Sequence, residues 1–127
     1  MGPLKHPFTA VVSAPTKAGK TEWVKNLVLN AEKMISPTPQ LIYWSYSEWQ
    51  PAYSELQSSN ADIHFCQGFP DLGELKANLE VPKFLILDDQ MQEMKRDKRL
   101  VQLFTKGSHH YNISVIHIVQ NLFFEGM

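Results

Sequence analysis

Ala-Pro-Thr-Lys-Ala-Gly-Lys-Thr at residues 14–21 follows directly on the apolar run Phe-Thr-Ala-Val-Val-Ser of residues 8–13 and opens a helix-like stretch. A chain that leaves a strand, turns tightly and enters a helix aims consecutive backbone N–H groups at one point, and the positive end of the helix dipole adds to their field. Phosphate oxygens suit such a loop. Ala14, Pro15, Thr16, Lys17 and Ala18 would bend around a triphosphate, and Gly19 lets the main chain approach without a Cβ in the way. Lys20 would span the β and γ phosphates, with the Thr21 hydroxyl on a Mg²⁺ ion bridging the same oxygens. The common form of the motif begins with glycine, where this chain has Ala14. A lysine-bearing surface turn would also match a pattern this short, so its neighbours decide: a strand before it, a helix after it and a second motif downstream.

That second motif is Lys-Phe-Leu-Ile-Leu-Asp-Asp at residues 83–89, an apolar run closing on two carboxylates. It reads as a buried parallel strand with acids at its C-terminal edge, where ligands of open α/β sheets gather. Asp88 is the expected metal-side acid. Asp89 falls where a general base would polarise the attacking water, with Glu93 as a substitute or slow hydrolysis as the remaining options; Asp89 is preferred. An isolated Asp-Asp would more simply end a strand and begin a turn. A third apolar run, Ile-Ser-Val-Ile-His-Ile-Val at 113–119, delivers Gln120 to the same edge, where its amide would contact the γ phosphate or else cap a loop. The expected catalytic set is Lys20, Asp89 and Gln120, with Thr21 and Asp88 on the metal.

To position these groups the chain needs alternating strands and helices. The periods give strands near 8–13, 40–45, 62–66, 83–88 and 113–119, with helices near 19–33, 51–58, 71–79 and 97–106. This predicts one α/β domain over 1–127 with a parallel sheet covered on both faces. Trp44, Tyr46, Trp49 and Tyr53 form an aromatic group best assigned to the core or a subunit contact, and Cys66 to buried filling.

With 127 residues, 43% of them hydrophobic, the chain can build a core, and its single cysteine excludes an internal disulfide. No apolar run is long enough to span a membrane and the start lacks a signal-peptide pattern, so a soluble intracellular protein with no membrane partner is expected. A net charge of −1 gives no general case for nucleic-acid binding. Any DNA contact would be local, at Lys95, Arg96, Lys98 and Arg99 with Lys106, His109 and His110, a segment that reads more simply as a solvated helix start. No Asn-Lys-x-Asp guanine signature is present, so ATP is the expected nucleotide.

With these residues in hand, the sequence resembles the DNA-packaging ATPases of the FtsK/HerA superfamily, in the poxvirus-like group that includes large DNA viruses, virophages and Maverick/Polinton-type elements. The resemblance runs through residues 42–51, 68–71 and 85–89, and is most specific in Leu-Phe-Thr-Lys-Gly-Ser-His-His at 103–110 leading to Val-Gln-Asn-Leu-Phe at 119–123. It implies a three-layer P-loop NTPase of the additional-strand (ASCE) type, with the third motif strand between the phosphate-loop strand and the acidic strand. It also implies a homo-oligomeric ring that hydrolyses ATP to drive double-stranded DNA into a capsid, at a viral assembly site or in the host nucleus or cytoplasm. Ring ATPases use an arginine from the neighbouring subunit, and Arg96 and Arg99 are the only arginines in this chain. Two departures stand out: Asp89 replaces the usual glutamate, and the sequence stops at Met127, short of the further strand and basic tail that members generally carry. Two other readings compete. A small P-loop nucleotide kinase needs an arginine-rich lid, against which two arginines speak; a nucleotide-binding assembly module would bind ATP without turnover.

Overall fold

In the computed structural model, which describes residues 4–13, 17–59, 62–104 and 109–119 with the side chains of 17–20 and of Met91 outside the description, strands and helices alternate as the periods predict. The elements in order are β1 (Leu4–Lys5), β2 (Thr9–Ser13), α1 (Lys17–Leu29), α2 (Ala31–Met34), β3 (Ile35–Ser36), β4 (Leu41–Tyr46), α3 (Pro51–Ser58) and β5 (Ile63–Gln67). They continue with α4 (Leu72–Lys76), β6 (Lys83–Asp88), α5 (Met91–Lys95), α6 (Lys98–Gln102) and β7 (Ile113–Val119). Five strands form one sheet in the order β2-β7-β6-β4-β5, every neighbouring pair parallel.

Alternation along the strands builds two apolar layers. Phe84 and Ile86 of β6, Ile116 and Ile118 of β7, Ile42 and Trp44 of β4 pack under α1, α2 and α3. Val24, Leu27 and Val28, at the i, i+3, i+4 positions of one face of α1, are buried, and Ala31 at the start of α2 continues the buried side. On the other side Leu85 and Leu87, Ile113 and Val115, and Tyr43 pack under Leu75 of α4, Met94 of α5 and Leu100 of α6. The result is a three-layer α/β arrangement. Cover is incomplete at the edge strand β2, where Ala10 and Val12 face the first layer while Val11 on the opposite face stays 49% exposed.

Several elements differ in extent from the periodic reading, each for a local reason. The expected helix 19–33 is split at Asn30, whose backbone (φ −112°, ψ 24°) leaves the helical conformation; its N–H (3.1 Å) and its side-chain amide (2.8 Å) both donate to the Asn26 carbonyl. Asp71 and Asp97 are caps and not first helical residues, since their carboxylates accept the N–H of Gly73 and Arg99, both at 2.9 Å. The expected helix 71–79 ends at Lys76 because the fully buried Lys83 ammonium takes the carbonyls of Ala77 (3.0 Å), Asn78 (3.0 Å) and Val81 (3.2 Å). Helix α5 and the two-residue ladder of β1 with β3 were not anticipated. Cys66 lies within β5, only half-buried, and burial pushes its thiol up.

A hydrogen-bonded chain fastens the N-terminal segment to the sheet. The Phe8 N–H donates to Ser114 Oγ (3.0 Å), Ser114 Oγ meets His6 Nδ1 (2.6 Å), His6 Nε2 meets Asn112 Oδ1 (2.9 Å), and the Asn112 amide donates to the Leu79 carbonyl (3.0 Å). Asn112 accepts through Oδ1, so the neutral ring carries its proton on Nε2 and Nδ1 accepts from Ser114. Desolvation lowers the pKa of His6 despite these bonds, and it lowers that of the buried His117 in β7 despite a bond to the Phe104 backbone. A histidine depressed in the folded state contributes stability above its unfolded pKa and loses it as pH falls. The melting temperature should therefore drop on acidification below about pH 6.5, by at most about 1.4 kcal/mol of stability per pH unit for each histidine. Thermal melts of wild type and His6→Gln across this window check the sign; the variant should show a shallower slope.

Candidate functional site

Parallel pairing brings the C-terminal ends of β2, β7 and β6 to one edge. Ser13 stands beside Val119, and Asp88 beside Ile118. Only β7 separates β2 from β6, so Ser13 and Asp88 lie about two strand spacings apart, roughly 10 Å. The end of β2 and the acidic end of β6 thus share one edge of the sheet, the location where ligands of open α/β sheets bind.

Asp88 ends a strand whose six residues are all buried, and is itself only 1% exposed. Its even-numbered phase in β6, shared with Phe84 and Ile86, turns it to the layer of α1 and α3. There the Tyr53 hydroxyl donates to Asp88 Oδ2. Tyr53 is fully buried on α3, and burial, followed by the Asp88 carboxylate, pushes its phenol well above the ordinary tyrosine range. The phenol therefore stays a donor.

Thr21 lies in the second turn of α1, on the same side of the sheet. It is 2% exposed, and its hydroxyl has no hydrogen-bond partner among the described residues. A buried hydroxyl normally finds a partner, and a helical threonine usually finds one in the preceding turn. A hydroxyl and a carboxylate are hard oxygen donors, the kind that Mg²⁺ takes in ones and twos alongside phosphate oxygens and water. The residues present fit that ion.

Asp89 is exposed and has left the strand: its φ is 59°, and its N–H donates to the Ile118 carbonyl (2.9 Å). Adjacent acids in sequence thus differ sharply, one carboxylate buried and the other at the rim. The Asp-Asp is also the strand-ending turn that the plainer reading describes. Behind it, buried Gln90 donates to Ser47 Oγ (2.9 Å) and approaches the Asp88 carbonyl (3.5 Å), holding the acidic turn against the end of β4. At the far end of the edge Gly68, with φ 83°, turns the chain after β5 in a conformation that suits glycine. Glu93, the alternative base, sits on α5 and pairs with Arg96 at 3.4 Å.

Ala14, Pro15, Thr16, Lys106 and Gln120 lie outside the described residues. Lys17, Ala18, Gly19 and Lys20 are placed only as the first residues of α1. The basic segment matches its plainer reading, with Arg99 paired to Asp97 (3.1 Å), Arg96 to Glu93, and Lys95, Lys98, His109 and His110 exposed. The residue that sequence reasoning missed is Tyr53, assigned only to an aromatic group; the available signal was that a tyrosine in a core needs a partner for its hydroxyl. A separate groove of about 520 Å³, lined by Val28, Asn30, Thr38, Gln40, Ile42 and Asp62, lies at the opposite, N-terminal edge of β4 and β5. Among the described residues no helix is long and apolar enough to cross a membrane. Comparison with protein-family models, curated proteins and solved structures gives no match.

Proposed function

We propose that this chain is an ATP-binding and ATP-hydrolysing motor domain that moves double-stranded DNA during virion assembly. The observation that carries the reading is the buried Asp88 at the C-terminal end of β6, on the side of the sheet that also holds the unpartnered Thr21 hydroxyl. The position of β7 between β2 and β6 supports the additional-strand form of the P-loop fold. In this reading Thr21 and Asp88 hold Mg²⁺, which when bound neutralises charge on the phosphate oxygens. Lys20 supports the β and γ phosphates, Asp89 takes the proton of the attacking water, and Gln120 contacts the γ phosphate.

DNA translocation and ring assembly rest on the sequence resemblance. Arg96 and Arg99, with side chains 76% and 82% exposed, are accessible to a neighbouring subunit's nucleotide. The substitution of Asp89 for the usual glutamate favours one second reading, a nucleotide-binding assembly module that turns over slowly or not at all. The deciding experiment is ATP hydrolysis by the purified chain with and without double-stranded DNA, alongside Lys20→Ala. Lys20-dependent turnover that DNA stimulates is the expected result. ATP binding without turnover in either condition would select the assembly module, and no Lys20-dependent binding at all would reject the nucleotide site.

A further inference from the structure

We infer that Tyr53 is a positioning residue for Asp88, setting the carboxylate that receives Mg²⁺; the inference rests on the nucleotide-site reading above and extends it to a residue outside the recognised motifs. A strand-end aspartate has two rotatable bonds, and a metal ligand must be held within about 0.5 Å of its working geometry. The Tyr53 hydroxyl bonds to one oxygen of that carboxylate. What makes this bond a positioning device is the immobility of its donor. The Tyr53 ring is enclosed by Trp44 (5.4 Å between centroids), Tyr46 (5.5 Å), Trp49 (5.3 Å) and Phe65 (5.4 Å), contributed by β4, the loop after it and β5. A ring gripped on four sides cannot swing its hydroxyl away, so the carboxylate inherits the rigidity of the aromatic cluster.

The same helix is also linked to the phosphate-loop helix. Lys25 of α1, one turn beyond Thr21, pairs with Glu55 of α3, two residues beyond Tyr53. Helix α3 therefore meets Asp88 directly through Tyr53, while its link to α1 is a surface ion pair that contributes little by itself. This gives the aromatic cluster a task beyond filling the core.

A tyrosine that only satisfied a buried carboxylate would affect stability and nothing else, so the test reads metal dependence separately. Binding of a fluorescent ATP analogue to the full chain is titrated with Mg²⁺ and repeated in EDTA, for wild type, Tyr53→Phe, Tyr46→Phe and Lys20→Ala, with a thermal melt of each. Tyr53→Phe is expected to raise the Mg²⁺ concentration at half-saturation about 10-fold or more, the size of effect seen on losing a partner of a metal ligand, while binding in EDTA is unchanged. Tyr46→Phe removes a hydroxyl from the same cluster and should leave the Mg²⁺ titration unchanged. A Tyr53→Phe chain that melts lower but titrates like wild type would reduce Tyr53 to a structural role and overturn the inference. Should Tyr53→Phe not fold, Phe65→Leu decides instead, since it keeps the Tyr53 hydroxyl but loosens the ring's enclosure. A raised Mg²⁺ half-saturation in that variant supports positioning through Tyr53, and a titration like wild type overturns it. Wild-type binding indifferent to both Lys20 and Mg²⁺ would instead overturn the nucleotide site itself, and the Tyr53 assignment with it.

Discussion

Lys20→Ala is expected to lower ATP turnover by about 10³-fold and to weaken ATP more than AMP, with little change in melting temperature. The magnitude follows from what one preorganised cationic donor supplies to the charge that develops on a transferring phosphoryl group, roughly 10²–10³ for a single donor. The selectivity follows from position. A lysine in the first turn of α1 stands at the positive end of the helix dipole, where in the proposed site it would add to the N–H field on the β and γ phosphates, with no counterpart on a monophosphate. Stability should hold because alanine is the better helix former. Isothermal titration with ATP, ADP and AMP, combined with steady-state hydrolysis, separates the two effects; equal weakening of all three nucleotides would mean that Lys20 contacts something other than the terminal phosphates.

The second large effect concerns the base. Asp89→Asn should reduce turnover by about 10²–10⁴ while leaving ATP and Mg²⁺ binding intact, the range expected when a general base is removed. Asparagine is the right probe because of the backbone. At φ 59° Asp89 occupies the left-handed region, which asparagine and aspartate enter more readily than other non-glycine residues. Asp89→Ala would add a strain cost of about 1 kcal/mol and confuse folding with catalysis. Glu93→Gln is the companion variant. If it abolishes turnover while Asp89→Asn does not, the base lies one helical element downstream, on α5. If neither variant matters, proton transfer limits nothing and the slow-hydrolysis reading gains.

Asp88→Asn and Asp89→Asn together separate the roles of the adjacent acids. Asp88 is buried and hydrogen-bonded to Tyr53, whereas Asp89 stands at the rim of the crevice. Asp88→Asn should therefore be felt first in Mg²⁺ dependence, and Asp89→Asn only in the rate. Single-turnover measurements at saturating Mg²⁺ make this distinction directly.

Much of the scaffold was legible from one dimension. The runs 83–88 and 113–119 are dominated by apolar residues without period-2 alternation, as a strand buried on both faces requires, and both strands are buried along their whole length, Lys83, Asp88, Ser114 and His117 included. The order of strand β2 and helix α1, and the placement of acids at the end of β6, followed from local chemistry alone. Short or composite elements were harder. The helix break at Asn30, the five-residue α5 and the β1–β3 ladder depend on single side chains or on pairing between distant segments, which no periodicity encodes. Lys83 shows the same limit: its type predicts solvent, yet it is fully buried because three carbonyls of the 77–81 turn converge on its ammonium.

By itself, then, the sequence determined the α/β class, the strand phases and the candidate residues Lys20, Thr21, Asp88 and Asp89, because residue type and spacing act within a few positions along the chain. Only the tertiary structure decided which strands are neighbours, that β7 lies between β2 and β6, that consecutive carboxylates divide into one buried and one exposed, and that Tyr53 meets Asp88. Those facts depend on contacts between residues far apart in the chain, from 21 positions (Ile42 with Ile63) to 106 (Thr9 with Val115), whose cost in chain entropy is met by the packing of the whole sheet and not by any local preference.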